Sequence, residues 1–242
     1  MSAITALEAA AALGPYFTWE PWDGDAAWRP LDDLLDPDVA AERVDVARRT
    51  LMRMSGLGRE EIGEREVASI TFLGLASRLL SPPLAAAAVA DTPVAAGRLW
   101  WRAVEGGPIP IAYADPVVTG SGPALDLVTP ILEVYRRRFT LSPQVLWGNV
   151  ASALGGAAGM IAASAPTRAA RAAALVGALL AEPPLRGSAD LVRPDPLSAR
   201  WFLVRRNCCL YYRIPGGGTC GDCVLTSADV RSRQWQAILD RR

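Results

Sequence analysis

Apolar residues recur every three or four positions through most of the chain, the pattern of helices that bury one face. We expect seven helices, separated by Gly- and Pro-rich breaks, at residues 2–13, 38–54, 64–80, 125–139, 142–164, 168–181 and 226–239. Met54 belongs to the predicted apolar stripe of the second helix. Pro82-Pro83 should end the third, with a further turn or two beyond it, because proline lacks the N–H that the helix ladder needs. Ser142 and Pro143 should open the fifth, as N-cap and first-turn residue.

Short stretches with strand character interrupt these helices. Residues 99–104 and 109–113 flank a glycine turn and predict two short strands, and Pro108 and Pro110 place the second at a sheet edge. Residues 15–37 combine tryptophan, proline and aspartate, which predicts an irregular segment held by its aromatic side chains. The fold class that follows is α+β and mainly helical, a helical body with a small β-sheet.

Length and composition limit the number of domains. The chain has 242 residues, of which 51% are hydrophobic and 21% charged, so it can bury a sizeable core as one domain with at most a small appendage. Four prolines between residues 183 and 196 mark a connector, and residues 201–204 predict a strand beyond it. We therefore expect a helical body at residues 1–195 and a C-terminal subdomain at residues 196–242.

Charge and histidine content exclude several classes of function. The formal net charge is zero, which leaves no basic surface signature of a nucleic-acid-binding protein. The chain contains no histidine, so Ser-His-Asp triads, histidine acid–base catalysis and histidine-ligated metals are excluded.

One uncharged segment is long enough to cross a membrane. Residues 139–167 carry no charge, but they consist largely of Ala, Gly and Ser and include Gln144 and Asn149. Such residues supply little transfer free energy, which favours a buried helix over a membrane span. The first residues lack the basic start and apolar run of a signal peptide, and together with clustered thiols this predicts a cytoplasmic protein.

All four cysteines of the chain, Cys208, Cys209, Cys220 and Cys223, lie within sixteen residues and have the spacing Cys-Cys-x10-Cys-x2-Cys. A Cys-x2-Cys arm lets two sulfurs reach one metal from a tight turn, and three consecutive glycines at residues 216–218 let the chain fold back. The cluster of cysteines therefore predicts a metal centre.

Three kinds of centre remain open on spacing alone. Structural zinc usually uses two Cys-x2-4-Cys arms, whereas adjacent side chains such as those of Cys208 and Cys209 diverge on an extended chain. An iron–sulfur cluster with two metal corners suits that divergence better. Disulfides or redox-active thiols are the third possibility.

Two short motifs carry a resemblance to a known family. Arg-Asn-Cys-Cys-Leu-Tyr-Tyr-Arg at residues 206–213 and Gly-Thr-Cys-Gly-Asp-Cys-Val-Leu at residues 218–225 resemble the C-terminal signature of the FhuF-type ferric-siderophore reductases. The uncharged segment at residues 146–154 is similar to that family's central helix. The resemblance implies a 2Fe-2S cluster, ligated by Cys208, Cys209, Cys220 and Cys223, which also carry the electron transfer.

The resemblance further implies an enzyme that passes one electron to siderophore-bound Fe(III) and releases Fe(II), with hydroxamate siderophores as the substrate class. The glycines at residues 216–218 do not follow a predicted strand, as those of a Gly-x-Gly-x-x-Gly dinucleotide motif do, and they have no Lys-Ser/Thr partner of a phosphate-binding loop. We therefore expect an external electron donor such as a ferredoxin. Two alternatives are a non-enzymatic zinc-stabilised binding module and a siderophore-binding protein that senses iron or redox state.

Four further residues are candidates for contact with the substrate. Arg205, Arg206 and Arg213 flank the cysteines and are expected either to tune the cluster, to meet an anionic siderophore or acidic donor, or to form surface salt bridges. Trp147 is expected either to line a ligand groove or to belong to the core.

Overall fold

A computed structural model describes residues 1–120, 122 and 125–240, so the last two residues of the predicted subdomain lie outside it. The described part contains seven α-helices: α1 (Ala3–Ala11), α2 (Pro37–Ser55), α3 (Glu64–Val89), α4 (Thr129–Arg138), α5 (Pro143–Ser164), α6 (Ala169–Ala181) and α7 (Ala228–Leu239). The strands are β1 (Glu20–Pro21), β2 (Arg29–Pro30), β3 (Val94–Ala95), β4 (Arg98–Trp101), β5 (Ile111–Ala114), β6 (Val117–Val118), β7 (Ala189–Val192) and β8 (Phe202–Arg205). The predicted mainly helical α+β fold is confirmed.

Helix α3 is the centre of the core and packs against α1, α2, α5 and α6. The predicted end at Pro82-Pro83 is wrong, because α3 continues through both prolines to Val89. Pro82 leaves the carbonyl of Arg78 without its helical donor, and the indole N–H of Trp19 donates to that carbonyl at 2.9 Å. The residues on both sides of the prolines are buried, and their packing contacts stabilise a helix that would end at the prolines if it were isolated.

Helix α5 lies alongside α3 and begins as predicted. The Ser142 hydroxyl accepts a hydrogen bond from the Val145 N–H, and Pro143 occupies the first turn. Its glycines allow the C-terminal tail to approach closely: a Cβ at Gly148 would overlap the Asn207 amide, and one at Gly155 would lie 2.8 Å from the Leu203 side chain.

The main sheet has the strand order β1-β5-β4-β2. Strands β4 and β5 form the predicted antiparallel pair, with Leu99 opposite Tyr113. The prediction that the second strand lies at an edge is wrong, because β1 pairs with the other side of β5 in parallel. Pro108 and Pro110 precede β5, which begins at Ile111, so neither proline removes a hydrogen bond from it.

Helix α2 shows where the predicted apolar stripe ends. Ala40 and Val44 are buried as expected, whereas Met54 is 79% exposed. The helix ends at Ser55 with Gly56 in the left-handed conformation, and the stripe reaches the solvent before that end.

The C-terminal tail is joined to the body by a strand pair. Strands β7 and β8 pair antiparallel, with Ala189 opposite Arg205 and Val192 opposite Phe202. The predicted domain boundary at residue 195 therefore falls between two paired strands, and the division into domains stays a prediction. Helix α7 is capped by Ser227 and buries none of its described residues, although Trp235 stacks on Phe202 at 4.9 Å.

Helices α3 and α5 are long and apolar enough to cross a membrane by length and composition. Within the protein, 78% of the most apolar window of α3 and 61% of that of α5 are buried. This burial agrees with the expectation of a core helix at residues 139–167. The sequence did not indicate α3 as a membrane span, because the helix predicted there ended at the prolines.

Candidate metal centre

The four cysteines lie on a loop between β8 and α7. Cys209 and Cys223 are buried, Cys208 and Cys220 are partly exposed, and all four are free thiols. The Cys223 N–H donates to the Cys220 carbonyl at 3.2 Å and closes the tight turn of the Cys-x2-Cys arm. Gly216 and Gly218 have φ values of 75° and 69°, a conformation that favours glycine, and they return the chain toward the first cysteine pair.

Two of the four sulfur atoms lie close together. The Sγ atoms of Cys209 and Cys220 are 3.6 Å apart. Backbone N–H groups of Leu210 and Leu225 donate to the sulfurs of Cys208 and Cys223 at 3.3 and 3.4 Å. Among the described residues, no three Cys, Asp or Glu side chains form a ligand set for a single ion.

The thiols of the close pair, Cys209 and Cys220, have pKa values shifted in opposite directions. The hydrogen bond from Cys220 lowers the pKa of the Cys209 thiol to about 6, and the same bond raises the pKa of Cys220. The pKa of the Cys208 thiol is raised, chiefly by burial, while the positive charge of Arg205 acts in the opposite direction. Of Cys208, Cys209 and Cys220, Cys209 is therefore the thiol most readily deprotonated for metal binding.

Arg205 is a buried cation beside the cysteines. It is 1% exposed, and its Nη2 donates to the Asn207 Oδ1 at 3.0 Å and more distantly to the Val145 carbonyl at 3.4 Å. Its Nε and Nη1 atoms have no hydrogen-bond partner, and no carboxylate of the described chain forms an ion pair with it. A buried, unpaired charge is costly. An anionic centre held by four thiolates would supply the missing counter-charge, so the residues present fit an iron–sulfur cluster.

A polar network behind the loop was missed by the sequence reasoning. The Ser69 hydroxyl of α3 donates to the Cys209 carbonyl at 2.7 Å. The Asn149 amide of α5 donates to the Ser69 carbonyl and hydroxyl at 2.8 and 3.0 Å. Both side chains are completely buried. The one available signal was an asparagine inside an otherwise apolar helix.

The Cys-x2-Cys arm is held to the body by its acidic residue. The Ser152 hydroxyl of α5 forms a hydrogen bond with the Asp222 carboxylate. The Asp222 carbonyl accepts the Arg205 N–H at 2.9 Å, which ties the arm to the end of β8. Both contacts fix the position of the buried Cys223 that follows.

A family profile described as the FhuF 2Fe-2S C-terminal domain matches residues 205–225. The matched segment includes Arg205 and all four cysteines. The cysteine loop of this chain thus matches an FhuF-type 2Fe-2S domain over these 21 residues. Its cofactor is accordingly a 2Fe-2S cluster, rather than the zinc ion or disulfides that the spacing left open. No curated protein matches the chain.

The other candidate residues lie at different distances from the FhuF-type loop. Arg206 is exposed and forms two hydrogen bonds of 2.7 Å with the Asp190 carboxylate, which raise the pKa of Arg206 and lower that of Asp190. Arg213 is exposed and lies 3.5 Å from Glu66. Trp147 is partly buried and packs against the core. Of the three arginines, only Arg205 has an electrostatic effect on a cysteine.

Proposed function

We propose that this protein is a ferric-siderophore reductase. The observation that carries the proposal is the FhuF-type 2Fe-2S domain at residues 205–225, with a buried cation against its cysteines. Siderophores hold Fe(III) through hard oxygen donors, and one added electron converts it to Fe(II), which those donors hold less tightly. The reaction therefore consumes one electron per iron and releases Fe(II) and the free siderophore.

We assign Cys208, Cys209, Cys220 and Cys223 as the cluster ligands. The 3.6 Å between the sulfurs of Cys209 and Cys220 supports this assignment, because it places two thiol groups within reach of one metal ion. Cys208 and Cys223 would complete the ligand set. When bound, the cluster supplies a carrier that accepts and gives up one electron at a time.

Arg205 is assigned to the cluster rather than to the substrate, because its burial leaves no surface for a molecule in solvent. Its positive charge favours the more negative, reduced state and so raises the reduction potential. The N–H groups of Leu210 and Leu225 act in the same direction through their bonds to sulfur.

The substrate is proposed to dock at the exposed side of the loop. Cys208 and Cys220 are partly exposed there, and the side chains of Tyr212 and Leu225 next to the cysteines are open to solvent. Arg213 is an exposed cation on the same loop; its contact with Glu66 is a single one of 3.5 Å, unlike the two 2.7 Å bonds of Arg206, and it is proposed to contact an anionic group of the siderophore. Contact with Arg206 or Trp147 stays a prediction, since the first is engaged by Asp190 and the second by the core.

The electron must come from another protein, because the chain has no sequence signature of a flavin or nicotinamide site. A ferredoxin-type donor in the cytoplasm is the proposed source. The proposed substrate class is the hydroxamate siderophores, which rests on the family resemblance.

The test begins with anaerobic purification and analysis of iron and acid-labile sulfide. Two irons and two sulfides per chain are expected; a colourless protein with one zinc would support the binding-module alternative. The reduced protein is then mixed with a ferric hydroxamate and an Fe(II)-specific chelator. A reductase turns over when a chemical reductant is supplied, whereas a sensor binds the complex and stops after one electron at most.

A further inference from the structure

A cavity of about 400 Å³ lies on the side of α3 that faces away from the cysteines. It is lined by α2, α3, Tyr135 of α4 and the loop at residues 104–109, and it is open to solvent on one side. Ser69, which holds the cysteine loop, and Arg78, which lines the cavity, are nine residues apart, or about 2.5 turns of an α-helix. The two therefore project from opposite sides of α3, and the helix separates the cavity from the metal centre.

The walls of the cavity are mostly apolar. Aliphatic side chains from three parts of the chain line it: Leu34, Val46, Leu51, Leu75 and Ile109. The volume is within the range of about 300–1,000 Å³ that is usual for small-molecule sites. An apolar body of modest size therefore fits the space.

Arg43 gives the cavity a cationic side. Its Nη2 donates to the Val104 carbonyl at 2.8 Å, its guanidinium lies 5.7 Å from the Trp101 ring centre, and no carboxylate of the described chain forms an ion pair with it. Burial lowers the pKa of Arg43, although arginine keeps its charge in proteins. The wall thus holds a partly desolvated positive charge that forms no ion pair, although Glu42 acts on it through space and the exposed Glu105 lies at the rim of the cavity.

A second arginine adds to this charge. Arg78 is buried and donates to the carbonyls of Ile109, Pro15 and Thr18, and it too forms no ion pair with a carboxylate in the described residues. Its donors are used, but its charge is not neutralised. Two guanidinium groups therefore make the interior of the cavity favourable for an anion.

Hydroxyl groups complete the polar side. The Thr71 Oγ1 is buried, lines the cavity and has no hydrogen-bond partner. Burial raises the pKa of Tyr135, so its hydroxyl stays protonated at neutral pH. Buried polar atoms are rarely left without a partner, and a turn of the Thr71 side chain towards the cavity would let a ligand oxygen supply one.

We propose that this cavity is a second ligand site, which binds a small molecule with an apolar body and one anionic group. The anion lies against Arg43 and Thr71, and the body occupies the aliphatic part of the cavity. The site is distinct from the one where the ferric siderophore is reduced, because α3 stands between them. It does not depend on the protein's being a reductase.

The probe for this proposal is 8-anilinonaphthalene-1-sulfonate, an aromatic body with one sulfonate, measured by calorimetry on the full chain with its cluster. N-phenyl-1-naphthylamine has the same body without the charge and serves as the comparison. We expect one sulfonate probe bound per chain, about tenfold or more tighter than the neutral compound. Equal affinities, several weak sites or no binding would overturn the proposal.

Gly74 offers a way to fill the cavity without a clash. It lines the cavity, and a Cβ built there meets no atom within 4 Å. Gly74→Leu should abolish binding of both probes, whereas Gly177→Leu in α6, equally free of contacts and outside the lining, should leave it unchanged. Binding that survives in Gly74→Leu would contradict the site.

The anion contact is tested by two further variants. Arg43→Met should weaken the sulfonate probe about tenfold and the neutral compound little, so that the two affinities approach each other. Thr71→Val should weaken the sulfonate probe by about threefold to tenfold. Thermal melting and the cluster absorbance are recorded for each variant, and a folded Arg43→Met protein with undiminished preference for the sulfonate would refute the assigned contact.

Discussion

The body and the C-terminal tail of this protein differ in charge as well as in packing. Residues 1–195 carry 17 arginines and 22 acidic residues, whereas residues 196–242 carry 8 arginines and 3 aspartates. The zero net charge of the chain therefore conceals an acidic body and a basic tail. A positive tail favours the reduced state of an anionic centre, and it would attract the proposed donor protein through any acidic surface of that protein.

Packing separates the same two regions. The body is built on helices that bury continuous apolar faces around α3. Among residues 196–240, which the structure describes in full, the buried side chains are Leu203, Arg205, Cys209, Ile214, Cys223 and Thr226. Two of these six side chains are cysteines and a third is the unpaired Arg205, so the order of the tail is expected to depend on the metal, whereas the body is stabilised by burial of apolar surface.

The strongest test of this difference removes one sulfur of the close pair. Cys209→Ser is expected to lose the cluster and with it all ferric reduction, since an alkoxide replaces a thiolate at a buried ligand position. Iron and sulfide analysis measures the loss. Helical circular dichroism should change little, while limited proteolysis should cut the tail. A normal cluster in this variant would refute the ligand assignment.

The contact between the regions is tested at Gly148. Gly148→Ala places a methyl group against the Asn207 amide and should destabilise the docked tail by about 2–3 kcal/mol. Gly156→Ala in the same helix meets no atom within 4 Å and should stabilise the protein by about 0.5–1 kcal/mol through helix propensity. Denaturant unfolding compares the two. Equal effects would mean that the tail does not pack against α5 as described.

The charge difference is tested by comparing neighbouring arginines. Arg205→Met should lower the reduction potential of the cluster by about 50–100 mV, because it removes a buried charge near the sulfurs. Arg206→Met removes an exposed charge that Asp190 already pairs, so its effect should be several times smaller. A redox titration followed by electron paramagnetic resonance gives both values. Similar shifts would show that Arg205 has no special role.

The smallest expected effect concerns the hydrogen bond from α3 to the loop. Ser69→Ala removes the donor to the Cys209 carbonyl and leaves a buried acceptor unpaired, at a cost of about 1–3 kcal/mol. Ser77→Ala is the control, because its hydroxyl bonds only within α3, to the Leu73 carbonyl. The rate of cluster loss to an iron chelator should rise for Ser69→Ala alone.

Local sequence patterns predicted most of the helices correctly. They failed where a residue distant in the sequence takes the place of a neighbour in a backbone hydrogen bond or in strand pairing. Pro82-Pro83 reads as a helix end in isolation, and the indole of Trp19, far away in the sequence, satisfies the carbonyl that Pro82 leaves without its helical donor. The prolines that precede β5 predict an edge strand, but β1 pairs with the side of β5 that an edge strand would leave free. The Ser69–Asn149 network could not be predicted, since it joins two helices 80 residues apart.

The sequence by itself determined the metal chemistry of this protein, because all four sulfurs lie within one short loop whose spacing is local. Only the tertiary structure decided which arginine lies beside those sulfurs. Arg205 and Arg206 are adjacent, and neighbouring side chains at the end of a strand point to opposite sides. The packing of β8 against α5 places Arg205 beside the cysteines and Arg206 against Asp190. That choice depends on contacts between distant segments, which no local pattern contains.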